Sequence, residues 1–366
     1  MYKQHNIRQW FGWFYSVINW RRPHLGLLCA ASTFLVLAVP TMIELPGSKL
    51  LAQKSVSQDL EAASLYQQGV TRYQRNDLEA AESAFRLALE RDSNLAMARK
   101  YLGNIMLMQN RLDIAVQEYG EALRINPNLG EVYYNLGLAL HRQGQKEAAI
   151  TAYRQALVID PTRSETHYNL GLALYETGQV EEAIAAYQEA INLDSSNAKA
   201  YFNLAIAQQR QGQIESAIAS YRQAVALDPQ NARAFNNIGS LKAIQGQTSE
   251  AIEVFRQAIR LNRQNPQAYF NLGVILYNQG EVHQANRLLK QAHTASQEQG
   301  NLEQSQKVEQ LMQQIAQVID QQTQATQTAT ATENASTTGN ILIQRLPPGY
   351  VPVYIDEWPT STIPGQ

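Results

Sequence analysis

Cysteine is almost missing from this sequence. Cys29 is the only one in 366 residues, which rules out an intrachain disulfide and a cysteine-built metal site. Charge of one sign is not in excess either. Thirty Lys and Arg stand against 32 Asp and Glu, a formal net charge of −2. That balance gives no electrostatic basis for holding nucleic acid, and no acidic run suggests a tail for basic partners. No G-x-x-x-x-G-K-S/T or G-x-G-x-x-G phosphate loop is present. The six histidines (His5, His24, His141, His167, His283, His293) never fall at a metal-binding spacing. No nucleophile–base arrangement stands out. The expectation is a chain that is not an enzyme, with no metal, no cofactor and no small-molecule substrate.

One long hydrophobic run is there. Residues 25–43, LGLLCAASTFLVLAVPTMI, carry no charge, close to the length a membrane span needs. Lys3, Arg8, Arg21 and Arg22 precede it, with Trp10, Trp13 and Trp20 suited to a headgroup boundary. The expectation is a transmembrane signal anchor at 25–43. Its flank, residues 1–24, would be cytoplasmic, and the rest of the chain periplasmic or lumenal. Cleavage of a signal peptide near Ala52, releasing a secreted or periplasmic protein, is the alternative. Residues 44–61 read as a linker.

From Ala62 to Gln299 the sequence repeats every 34 residues, with starts at 62, 96, 130, 164, 198, 232 and 266. Position 20 of the repeat is always Ala, from Ala81 to Ala285, and position 27 always Ala, from Ala88 to Ala292. Position 8 is Gly except for Ala205. Position 24 is large: Phe85, Tyr119, Tyr153, Tyr187, Tyr221, Phe255 and Leu289. Small residues at 8 and 20 let two antiparallel helices approach closely, and the ring at 24 fills the space beside them. Position 15 is Asn76 and Asn110, then Gly144, Gly178, Gly212, Gly246 and Gly280, residues that tolerate the left-handed turn ending a helix. The predicted fold is all-α, seven helical hairpins stacked into an α-α superhelix. The repeats are 62–95, 96–129, 130–163, 164–197, 198–231, 232–265 and 266–299.

Residues 133–161 resemble the tetratricopeptide-repeat family. The family pattern W-x2-L-G-x2-Y, A-x3-F, A, P appears as Y-Y-N-L-G, Ala149-x3-Tyr153, Ala156 and Pro161. The resemblance covers about two-thirds of the chain. It implies a protein-interaction scaffold whose first helices line a concave groove through positions 2, 5, 6, 9, 12 and 13. Position 6 is Asn135, Asn169, Asn203, Asn237 and Asn271. Asparagine is a mediocre helix former, so five at one position suggest use. An amide ladder could hold the backbone of an extended peptide of any sequence. The alternative is a solvated or inter-repeat bonding role. Tyr134, Tyr168, Phe202 and Phe270 at position 5, with Tyr175 and Tyr277 at position 12, would add contact area. Position-5 rings packing against the neighbouring repeat is the other reading. Lys199 and Arg233 are the cations at position 2. A similar asparagine ladder lines O-linked N-acetylglucosamine transferase, but the residues after the repeats are expected to be too few for that enzyme's large catalytic domain. The Lys/Asn/Arg set of the chaperone-binding members is absent.

Residues 300–320 read as an amphipathic capping helix, with Val308, Leu311, Met312, Ile315, Val318 and Ile319 on one face. Residues 321–339 are polar and low in complexity, and read as a flexible linker. Residues 340–366 form a Pro-rich tail with Tyr350, Tyr354 and Trp358. It is either disordered or a docking peptide, for a partner or for this protein's own groove. The partners expected are extended segments of other proteins, together with the membrane through 25–43. The resulting expectation is a scaffold for a membrane-associated complex. The alternative is a targeting or regulatory subunit of an enzyme complex whose catalysis lies on another chain.

Overall fold

A computed structural model describes residues 48–332. The expectations for the 1–24 flank, the 25–43 span and the 340–366 tail lie outside the described residues. Among the described residues, no helix is long and apolar enough to cross a membrane. The chain divides into two units, Met1–Lys54 and Ser55–Gln366. Everything described from Ser55 onward belongs to the second.

The described residues form fifteen helices. They are α1 (Ser48–Gln74), α2 (Leu78–Arg91), α3 (Ala96–Met108), α4 (Leu112–Ile125), α5 (Gly130–Arg142), α6 (Lys146–Ile159), α7 (Ser164–Glu176), α8 (Val180–Leu193), α9 (Ala198–Arg210), α10 (Ile214–Leu227), α11 (Ala232–Ile244), α12 (Thr248–Leu261), α13 (Pro266–Asn278), α14 (Val282–Glu298) and α15 (Leu302–Thr332). From α3 to α14 they pair as hairpins, one per repeat, and each second helix packs on the first helix of the next repeat.

The small-residue register acts as the sequence predicts. A Cβ added at Gly137 would stand 2.5 Å from Cε1 of Tyr153, and one added at Gly171 would stand 2.7 Å from Cδ1 of Tyr187. The glycines are therefore seats for the position-24 side chains, which are buried in every repeat, as are the alanines at positions 20 and 27. At position 15, Asn76 and Asn110 take φ of 59° and 57°, and the five glycines take φ between 74° and 84°. The turn closes with bonds such as Gly178 N–H to Tyr175 O at 3.0 Å and Gln179 N–H to Leu174 O at 2.8 Å.

A second turn device recurs at position 31. Asp92, Asn126, Asp160, Asp194, Asp228 and Asn262 each accept from the backbone N–H two residues on, at 2.9–3.2 Å. This short carboxylate or amide turn ends the second helix even where no proline follows.

Two boundaries differ from the sequence reading. Residues 48–61 of the expected 44–61 linker are helical, as the start of α1. At the other end, the helix expected over 300–320 begins at Leu302 and runs to Thr332, into the stretch read as a flexible linker. Neither 48–61 nor 302–332 holds a Gly or Pro to stop a helix, and Ala, Gln and Lys are fair to good helix formers. Low complexity did not mean loop. The capping role itself appears. Val308, Leu311 and Ile315 are buried against a cluster that includes Leu289 and Ala292 of α14, with Met312, Val318 and Ile319 partly buried beside them.

Candidate functional site: the inner wall

First helices approach their counterparts in the next repeat directly: α3 with α5, α5 with α7, α7 with α9 and α11 with α13. No pair of second helices among the described residues comes as close. In a curved stack the closer set lies on the inside. The first helices therefore form the concave wall, as the family resemblance implies.

On that wall the asparagine ladder exists, but its amide nitrogens are already engaged. Asn169 Nδ2 donates to the Tyr134 hydroxyl at 3.2 Å, and Asn203 Nδ2 donates to the Tyr168 hydroxyl at 3.0 Å. Each bond joins position 6 of one repeat to position 5 of the repeat before it. Asn271 Nδ2 repeats the pattern with Asn236 Oδ1 at 3.2 Å, and it also donates to Ser240 Oγ at 3.2 Å. In the third and sixth repeats the partner changes. Asn135 Nδ2 donates to Asn104 Oδ1 at 3.0 Å, an oxygen that also accepts from the Tyr119 hydroxyl. Asn237 Nδ2 donates to the Tyr221 hydroxyl at 2.9 Å. Position 6 thus shows the inter-repeat bonding role: the amide bonds one repeat to the last, and each such bond contributes roughly 0.5–1.5 kcal/mol net.

The oxygens are another matter. Asn169 Oδ1 and Asn271 Oδ1 are buried acceptors with no donor among the described residues.

The position-5 rings serve the same interfaces. Tyr168, Phe202 and Phe270 are buried, while Tyr134 is half-buried. Their centroids lie near the position-24 rings: Tyr134 is 6.2 Å from Tyr153, Tyr168 is 6.1 Å from Tyr187 and Phe202 is 5.5 Å from Tyr221. Burial pushes the Tyr168 hydroxyl up to about 12, against the opposing bond from Asn203. It is neutral at any physiological pH and can serve as acceptor and donor alike.

Guanidinium groups cover several rings. Arg163 lies over Tyr134 at 4.0 Å, Arg210 over Tyr175 at 5.1 Å and Arg233 over Phe202 at 5.6 Å. Lys199 is exposed, Tyr175 half-buried and Tyr277 buried. Of the thirteen residues read as a groove, Lys199, Arg233, Tyr134, Asn135 and Tyr175 retain open surface.

Sequence reading missed one charged cluster. His141 is buried at position 12 of the third repeat, its Nε2 3.1 Å from Glu176 Oε2 in the fourth, and the Lys146 ammonium is 2.9 Å from the same oxygen. Burial raises the Glu176 carboxyl, but the hydrogen bonds and charge of His141 and Lys146 outweigh it and hold the group below the ordinary carboxylate range. A carboxylate depressed in the folded state stabilises the fold at neutral pH, and that stabilisation fades as pH falls through its folded value. Glu176→Gln is therefore expected to lower stability at pH 7 by about 1 kcal/mol. The gap should be smaller at pH 3 than at pH 7. Urea midpoints at the two pH values check this, and an equal gap at both would contradict it.

A protein-family model described as the Cilia and flagella-associated protein 70 C-terminal domain matches residues 44–311. No curated protein matches the chain. Among solved structures the chain is similar to YrrB, described as a TPR protein with an unusual peptide-binding site. Identity there is 24%, coverage 51% of this chain and 97% of that one, and the TM-score 0.49. It is also similar to MamA, at 27% identity over 46% and 92% of the two chains with a TM-score of 0.45. A third is pilF of Pseudomonas aeruginosa, at 23% identity over 58% and 96% with a TM-score of 0.48. With the family match spanning well over half the sequence and the helical hairpins in phase throughout, the chain belongs to the tetratricopeptide-repeat family described as the Cilia and flagella-associated protein 70 C-terminal domain.

Proposed function

We propose that the chain is a scaffold that holds extended protein segments along the inner wall of its repeats. The observation that carries this reading is the wall itself. It is concave and lined by half-open rings under guanidinium groups, such as Tyr134 under Arg163 and Tyr175 under Arg210. Such rings give contact area at low entropy cost, and the cations beside them favour segments carrying Asp or Glu. The amide ladder supports this surface by fixing the pitch between repeats. A tether through residues 25–43 would place the wall beside a membrane and suit the assembly of a membrane-associated complex. That placement rests on the apolar sequence and the basic flank before it.

The test is a selection of random extended peptides on the full chain, followed by titration of the winners. Tyr175→Ala with Lys199→Glu is expected to weaken them at least tenfold, and Val158→Ala on the exposed second-helix side should leave affinity unchanged. Peptides that ignore the first pair and respond to Val158 would sink the reading. All three changes fall on side chains with open surface, so helicity by circular dichroism should hold.

A further inference from the structure

The inner wall is not equally open along its length. At positions 5, 6 and 9 of the third repeat, Tyr134, Asn135 and Leu138 are half-buried. In the sixth repeat the same positions are shut: Asn236 and Asn237 are 0% exposed and Ser240 1%. Phe270, Asn271 and Val274 are buried in the seventh. The pitch between repeats does not explain the change. The bond spanning 35 residues is 3.2 Å between the third and fourth repeats and 3.2 Å between the sixth and seventh. This closure begins at Tyr168, Asn169 and Leu172 of the fourth repeat, and the bonds from Asn271 to Asn236 and Ser240 and from Asn237 to Tyr221 hold it, so the surface left for an occupant is the cationic one of Lys199, Arg210 and Arg233.

Charge narrows what the occupant is. At the six inward positions, repeats five to seven carry Lys199, Arg210 and Arg233 and neither Asp nor Glu. Past Thr332 the chain has 34 residues, and 350–358 read YVPVYIDEW. Pro347, Pro348, Pro352 and Pro359 favour extended backbone, and Asp356-Glu357 sit between Tyr354 and Trp358. Eighteen residues lead from Thr332 to Tyr350, a reach of up to about 60 Å. Three first helices side by side span only about 30 Å.

We propose that residues 350–358 of this same chain dock along the inner wall of repeats five to seven, with Asp356 and Glu357 answering Lys199, Arg210 and Arg233. This rests on the reading of the wall as a peptide groove. It makes the tail an internal competitor that an incoming segment must displace.

A fluorescein-labelled synthetic peptide of residues 346–362 is the probe, titrated by anisotropy into two full-length proteins. One is the native chain. The other carries Asp356→Lys, Glu357→Lys and Trp358→Ala. The freed wall of the variant is expected to bind the peptide at least tenfold more tightly than the native chain. Adding Lys199→Glu and Arg233→Glu to the variant should abolish that binding at unchanged helicity. Equal affinity for both proteins, or binding to neither, overturns the proposal. So does a native dimer by light scattering that the tail changes dissociate, because the occupant would then be a second copy. If the tail peptide fails while selected peptides still bind through Tyr175 and Lys199, the tail assignment falls and the groove stands. If both kinds fail, both fall.

Discussion

Tyr187→Ala is expected to destabilise the protein by about 3–5 kcal/mol, the range for deleting a large buried ring. The ring is 1% exposed. It lies against Gly171, where an added Cβ would come within 2.7 Å, and its centroid is 6.1 Å from that of Tyr168. Gly171, against which the ring lies, has no side chain to collapse into the space. Its place in the fourth of seven repeats adds a second effect. In a stack whose units touch only their neighbours, a weak middle unit uncouples the two ends. Urea unfolding should then split from one transition into two. A loss below about 1 kcal/mol with one intact transition would show that the ring does not hold the hairpin together. Gly171→Ala is expected to be far milder, because Ala205 occupies the equivalent position in the fifth repeat and is fully buried there beside Tyr221.

Ile315→Asp is the second large effect. Ile315 is 0% exposed, in the cluster that joins α15 to α14 and α13. An unpaired carboxylate there has no partner, so the helix must undock or the group must stay protonated. Either outcome is expected to cost about 3 kcal/mol. The end of the array then loses its cover, with Leu289 and Ala292 of α14 newly wetted. Protease cleavage within 302–320 should rise sharply while repeats one to four keep their protection. Unchanged cleavage would mean that α15 is not a cap. Leu302, already exposed, supplies the control: Leu302→Asp is expected to change little.

Much of the fold was legible because it rests on size. Alanine at positions 20 and 27, glycine at 8 and a ring at 24 can be read directly as a close helix contact and its filler, and the turn at position 15 as left-handed backbone. What was not legible was which neighbour a polar side chain meets. A 34-residue period tells which face Asn169 occupies. It does not tell that its nitrogen reaches the Tyr134 hydroxyl, one residue more than a repeat away. The same holds for His141 and Glu176, also 35 residues apart. The position-31 turn could have been found, since Asp or Asn stands there in six successive repeats. The extent of α1 and α15 was not readable from composition, because Gln- and Ala-rich sequence suits a helix as well as a linker.

The most direct measurement is photo-crosslinking with benzoylphenylalanine placed at Tyr175 on the inner wall and, separately, at Val158, which is 75% exposed on a second helix. With peptides selected on the full chain, the Tyr175 position is predicted to capture them and the Val158 position to stay silent. Capture from Val158 with none from Tyr175 would put binding on the outer face and contradict the inner-wall reading.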